Sequence, residues 1–151
     1  MLHIKKSAFT MVELIFVIVI LGILAAVAIP KFAATRTDAQ ISKGRADISA
    51  IRSSIISERQ TRLIKGDSDW INSLSHGTST LFDGNGSVDL LMYGIKSGTS
   101  NGYWRTTDTA FPYVHYIYRV KDKDCKLDYN ASTGVFKLKS NQDTICDKLV
   151  K

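Results

Sequence analysis

The sequence has two cysteines and three histidines among 151 residues. Two thiols without a nearby histidine do not furnish a zinc site, which takes four sulfur or nitrogen ligands. No serine or cysteine has a recognisable base partner, and no glycine loop follows a phosphate-binding pattern. His3 lies in a basic N-terminal stretch, and His76 and His115 stand alone. His115 alternates with aromatic residues and reads as structural. The run DGNGSVD (Asp83 to Asp89) alternates oxygen-bearing residues that could hold calcium. It lacks the glycine and distal glutamate of an EF-hand, so a glycine-rich turn is expected and no cofactor is assigned. The tail SNQDTICDK carries Asp143 and Asp147 without a clear calcium motif. There is no internal repeat or low-complexity tract. These absences argue against an enzyme: no catalytic residue and no metal ligand is assigned.

Charge is missing where it matters most. From Leu14 to Ile29 there is no charged or hydrogen-bonding side chain. Phe9 to Ile29 spans 21 residues, about 31 Å as a helix, which matches a bilayer's hydrocarbon core. A buried core helix is the alternative, but the rest of the chain is too small to wrap one on every side. Lys5 and Lys6 precede the run and favour a cytoplasmic N-terminus with an exported C-terminal part. A cleaved secretory signal competes with this reading, because small residues (Ala26, Ala28, Ala33, Ala34) lie near the end of the run. One acid, Glu13, interrupts its beginning. A carboxylate costs roughly 2.5–3.5 kcal/mol at mid-membrane on insertion scales, so its presence calls for a partner.

The stretch SAFTMVELIFVIVILGILAAVAIPKF resembles the class III signal and N-terminal helix of the type IV pilin and type II secretion pseudopilin superfamily. The matching features are a short basic leader, a small residue before Phe9, Glu13 as the fifth mature residue, and Pro30 at the end of the apolar run. The family's usual glycine before the cut is here Ala8. The resemblance covers roughly the first third of the chain. It implies cleavage between Ala8 and Phe9 by a prepilin peptidase, methylation of the Phe9 amine, and retention of the helix as a membrane anchor. Glu13 lies four residues beyond that amine, and in a helical filament it could meet the Phe9 amine of a displaced neighbour. Such pairing would offset desolvation and fix axial register; a Glu13 that merely snorkels to headgroups is the alternative.

After Pro30 the helix is expected to continue as an amphipathic segment. Ala34, Ile41, Ile48, Ile51 and Ile55 form one stripe, Glu58 and Arg62 are spaced for an ion pair, and Gly66 ends it. Gly22 and Pro30 are the expected points of bending or local melting. The segment's lysines and arginines read as a solvated face rather than a nucleic-acid stripe. In the remainder, DSDWINSLS suggests a short helix with Trp70, Ile71 and Leu74 inward, and VDLLMYGI has no settled form. YVHYIYRV (Tyr113 to Val120), CKLDY and VFKLK read as three strands, the last two forming a hairpin around NASTG. Cys125 and Cys146 are expected to pair in an exported head, contributing about 3 kcal/mol in the chain-entropy model. The resemblance agrees, since many pilins close a C-terminal loop in this way.

The expected fold is α+β, a long N-terminal helix packed on a small antiparallel sheet. The expected organisation is a leader over 1–8, an assembly helix over 9–30, its amphipathic continuation over 31–66, and a head over 67–151. The chain is read as a pseudopilin of a type II secretion filament, single-pass in the bacterial inner membrane with its head in the periplasm. Its implied partners are other pseudopilins, the prepilin peptidase and an inner-membrane assembly platform. The alternative is a type IV pilin or a competence pseudopilin, and only the latter would engage DNA. The formal net charge of +6, to which Lys5 and Lys6 contribute two, would support weak DNA affinity. A signal-anchored periplasmic binding domain ranks last, because it would need a clustered polar site that the head lacks.

Overall fold

A computed structural model describes residues 9–108 and 114–151. Helix α1 runs from Met11 to Ile64, 54 residues. It is followed by β1 (Thr80–Leu81), β2 (Ile95–Lys96), β3 (Trp104–Thr106), β4 (His115–Val120), β5 (Lys123–Asn130), β6 (Val135–Leu138) and the short α2 (Thr144–Asp147). The chain divides into two units, residues 1–36 and 37–151.

In the first unit the large apolar side chains of α1 are exposed, Leu14 to Leu24, Val27 and Ile29 among them. The helix is long and apolar enough to cross a membrane, and none of its most apolar window is buried. Gly22 and Pro30 both lie inside the continuous helix.

In the second unit, burial along α1 follows Ile41, Gly44, Ile48, Ile51, Ile55 and Glu58, alternate steps of three and four. Ala34, expected at the head of this stripe, is exposed. Gly44 marks the closest approach of helix to sheet: a Cβ there would lie 2.6 Å from Tyr118 Cε1 and 2.8 Å from Leu149 Cδ2. The Tyr118 hydroxyl donates to the Gln40 carbonyl at 2.6 Å. At the other end of the stripe, Glu58 accepts from Arg62 Nε at 2.9 Å, the expected ion pair. The helix stops at Ile64, and Gly66 adopts a φ of 82°.

The main sheet is antiparallel with strand order β3-β4-β5-β6. Its helix-facing side carries Trp104, Tyr116, Tyr118, Val120, Cys125, Leu127, Tyr129 and Phe136, all buried. Four strands stand where three were expected, because β3 pairs Trp104 with Tyr118 along the free edge of β4. The expected strand over YVHYIYRV begins at His115, and Tyr113 lies outside the described residues. The β4–β5 turn is Lys121–Asp122, with φ of 47° and 59°. Two such residues in a two-residue hairpin would ordinarily be Asn-Gly or the like. Here Asn101 holds the turn, accepting from Asp122 N at 2.9 Å and donating to its carboxylate at 3.0 Å.

The helix expected over DSDWINSLS does not form. The backbone polar groups of this segment are taken by other partners: Tyr129 Oη donates to the Ile71 carbonyl, and Gly84 N to the Leu74 carbonyl. The inward residues are as expected, with Ile71 and Leu74 buried and Trp70 packed against the core. VDLLMYGI resolves into bends that end in β2, which pairs with β1.

Gly44→Ala should test the helix–sheet approach. At an exposed helical site this change stabilises by about 1 kcal/mol. Here the methyl group meets an aromatic ring and a leucine, and overpacking of about 1–3 kcal/mol should reverse the sign. Thermal or urea unfolding of the detergent-solubilised protein should show a lower midpoint. A raised midpoint would mean that helix and sheet separate at no cost.

Candidate assembly site

The start of α1 is held by a short local network. Thr10 N donates to Glu13 Oε2 at 2.9 Å, and Thr10 Oγ1 donates to the same oxygen at 2.8 Å. Glu13 N in turn donates to Thr10 Oγ1 at 3.2 Å. This is a capping box, in which a hydroxyl and a carboxylate reciprocally satisfy amides left free at a helix start. The carboxylate also sits at the positive end of the helix dipole. Glu13 thus has a partner within its own chain. The signal is present in the sequence as T-M-V-E before an apolar run, and reading Glu13 only against a neighbour's amine overlooks Thr10. Phe9 is exposed beside this cap. Ala8 and the rest of the leader lie outside the described residues.

In the head, Cys125 at the start of β5 and Cys146 on α2 form a disulfide with Cα atoms 5.4 Å apart. It closes a separation of 21 residues, and both cysteines are fully buried. Asp143 caps α2, accepting from Ile145 N at 3.1 Å. That hydrogen bond, aided by Lys123, holds its carboxyl below the usual range. The tail beyond the disulfide is bound to α1: Arg45 Nε donates to the Lys148 carbonyl, and Leu149 is buried.

Several cations of α1 therefore do more than face water. Lys43 donates to the Gly102 carbonyl at 2.6 Å, Arg52 to the Phe136 carbonyl at 3.0 Å, and Arg59 lies 4.9 Å from the Trp70 ring centre. Carbonyls at sheet edges and loop ends are the acceptors that a long cationic side chain can reach, which the expectation of a solvated face did not foresee. Between them, Trp104 Nε1 donates to Asp47 Oδ2 at 2.8 Å, anchoring β3 to the helix.

The Asp83 to Asp89 loop is a glycine-rich turn. Gly84 and Gly86 have φ of 96° and 85°. Its oxygens serve nearby backbone: Asp83 accepts from His76 N, and Asn85 from Ser87 N and Val88 N. Among the described residues, no three His, Cys, Asp or Glu side chains are grouped to hold a metal. His115 Nδ1 lies 2.9 Å from Asp128 Oδ1 on the exposed sheet face.

A capped, lipid-compatible helix leading into an α+β head with a disulfide-closed tail is a pilin-like architecture. The family model for the prokaryotic N-terminal methylation motif matches residues 4–29. The N-terminal segment thus carries that motif and is similar to the N-terminal segment of type IV pilins and pseudopilins. Two curated relatives, each named fimbrial protein and both from Pseudomonas aeruginosa, are 30% and 29% identical to the chain over 98 residues. Those alignments cover 62% of this chain and 64% of each relative, just under two thirds of their length. No solved structure gives a significant match.

Replacing Cys125 and Cys146 together by alanine should lower the unfolding free energy of the solubilised protein by about 3 kcal/mol. Non-reducing peptide mapping of the unsubstituted protein should show the linked pair. Quantitative alkylation of both thiols without reductant would contradict it.

Proposed function

We propose that the chain is a structural subunit of a helical filament anchored in the bacterial inner membrane, with its head in the periplasm. The observation that carries this reading is a single carboxylate, placed by a capping box at the start of a helix whose large apolar side chains from Leu14 to Ile29 are exposed. Such a surface needs lipid before assembly and neighbouring helices after it. Cleavage between Ala8 and Phe9 by a prepilin peptidase would free an amine beside Thr10. A neighbour's Phe9 amine would then approach Glu13 as the counter-charge. Other subunits and an inner-membrane assembly platform are the partners this requires. The role of the head in this reading is structural.

Of the machines that use such a fibre, the relatives named fimbrial protein and the disulfide-closed tail favour a type IV pilus. The short chain and small head favour a type II secretion pseudopilus, which stands as the second reading. A competence filament would add DNA as a partner. Deletion of the gene separates these. Loss of surface fibres with secretion intact supports the pilus, and periplasmic build-up of an exported protein supports the pseudopilus. Loss of DNA uptake alone supports the competence filament.

The native protein should begin at Phe9 and carry one extra methyl group by intact mass. An N-terminus at Met1, or one beyond Ile29, would overturn the reading.

Glu13→Ala should leave the protein inserted in the membrane but lower filament recovery. The substitution removes the carboxylate half of the capping box and the partner of a buried charge, the latter a loss of about 3–5 kcal/mol. Thr10→Val removes the capping hydroxyl and keeps the charge, so its effect should be the smaller. Equal filament loss in both variants would assign Glu13 to capping alone, and normal filaments from Glu13→Ala would remove it from the assembly contact.

A further inference from the structure

Two large side chains on the head are left uncovered: Met92 and Tyr93 are 88% and 84% exposed. They do not sit on a slack loop. Leu90 just before them is buried, Leu91 N donates to the Phe82 carbonyl at 3.1 Å, and Ile95 just after them pairs in β2. A Cβ at Gly94 would lie 2.5 Å from Thr80 Cγ2 and 2.9 Å from Asp83 Cβ, so the backbone behind Tyr93 is pressed against its base. The result is a fixed apolar knob. Across residues 83–96 it is accompanied by Asp83 and Asp89 against one cation, Lys96.

Elsewhere on the same head, between α1 and the edge strand β6, lies a groove of about 270 Å³. Ile56, Val135 and Phe136 supply its apolar lining, and among the described residues Arg52 and Lys137 are the charged ones that line it. Ile56 and Val135 are themselves exposed. This volume falls below that of ordinary small-molecule pockets, about 300–1,000 Å³, and suits a side chain better than a free ligand.

We propose that the Met92–Tyr93 knob of one copy docks in the Ile56–Val135 groove of the next. The knob is apolar and its segment carries two aspartates against one lysine, and the groove is apolar and lined by two cations. Their complementarity points to a second copy of this chain rather than to a partner of another kind. Knob and groove are different patches of one surface, so the contact is heterologous. Such contacts repeat from copy to copy and build an open helix unless the rotation closes a ring. Opposite charges at the rim steer and register the pair more than they tighten it. This inference rests on the filament reading and adds to it a contact between heads, independent of Phe9 and Glu13.

The test uses the full chain in cells that make the filament, with a benzophenone amino acid in place of Tyr93. The photo-adduct should join two copies and map to residues 52–56 or 135–137. Separately, Lys137→Glu should lower filament recovery about fivefold, as loss and reversal of a rim ion pair would. Adding Asp89→Lys in the same chain should restore it. If Lys137→Glu does not accumulate, Asp89→Lys alone carries the same expectation of loss. Filaments whose adduct maps elsewhere, an adduct to a different protein, or charge reversal without effect would overturn this contact and leave the filament reading standing. Absence of filaments and of any subunit–subunit adduct from otherwise unsubstituted protein would overturn both.

Discussion

The head is organised by the distance at which α1 meets the sheet. Gly44 lets the helix settle on the Tyr118 ring and on Leu149, and the remaining contacts assume that spacing. The isoleucines at 41, 48, 51 and 55 reach the sheet's aromatic layer because the helix lies close enough. Trp104 can donate to Asp47, and Tyr118 to the Gln40 carbonyl, only across the same short gap. Burial pushes the phenol of Tyr118 up to about 12, with the Asp47 carboxylate adding to the shift, so the hydroxyl remains a donor at any ordinary pH. A larger residue at position 44 would lengthen all of these together.

The polar parts of the interface follow from that approach. The cations at 43, 45 and 52 reach past the apolar stripe and donate to carbonyls of Gly102, Lys148 and Phe136. These acceptors lie in the loop before β3, in the C-terminal tail and on the edge strand β6. Each would otherwise need water or another partner. The disulfide then holds the tail at the start of β5, so the tail is fixed to both layers of the head.

Much of this was legible in the sequence because it depends on periodicity or on residue count. The apolar run, the isoleucine stripe, the hairpin strands and the lone cysteine pair are all patterns of that kind. Gly44 and Glu58 were not legible as members of the stripe, since neither is apolar, although their steps of three and four complete it. β3 has three residues, two of them polar, and is a strand only because β4 offers an unpaired edge. The Lys121–Asp122 turn carries no turn signature because its conformation is secured by Asn101, which comes from a separate loop. The segment after Gly66 has the apolar spacing of a helix, and tertiary hydrogen bonds to Ile71 and Leu74 outweigh that local preference. At the other end of the chain, the Thr10–Glu13 cap is legible in four consecutive letters, T-M-V-E.

The stripe on α1 also constrains how such a chain can change length. Each residue advances a helix by about 100°. One residue inserted or deleted between Gly44 and Arg52 would swing everything beyond it by that angle, carrying Ile51 and Ile55 off the sheet and bringing polar positions in their place. Segments 67–79 and 83–94 have no such phase to keep, because their backbone groups are satisfied one at a time by particular side chains and turns. A change of length in those loops alters the surface of the head without turning the stripe. The helix from 41 to 58 can exchange residues but cannot lose count of them.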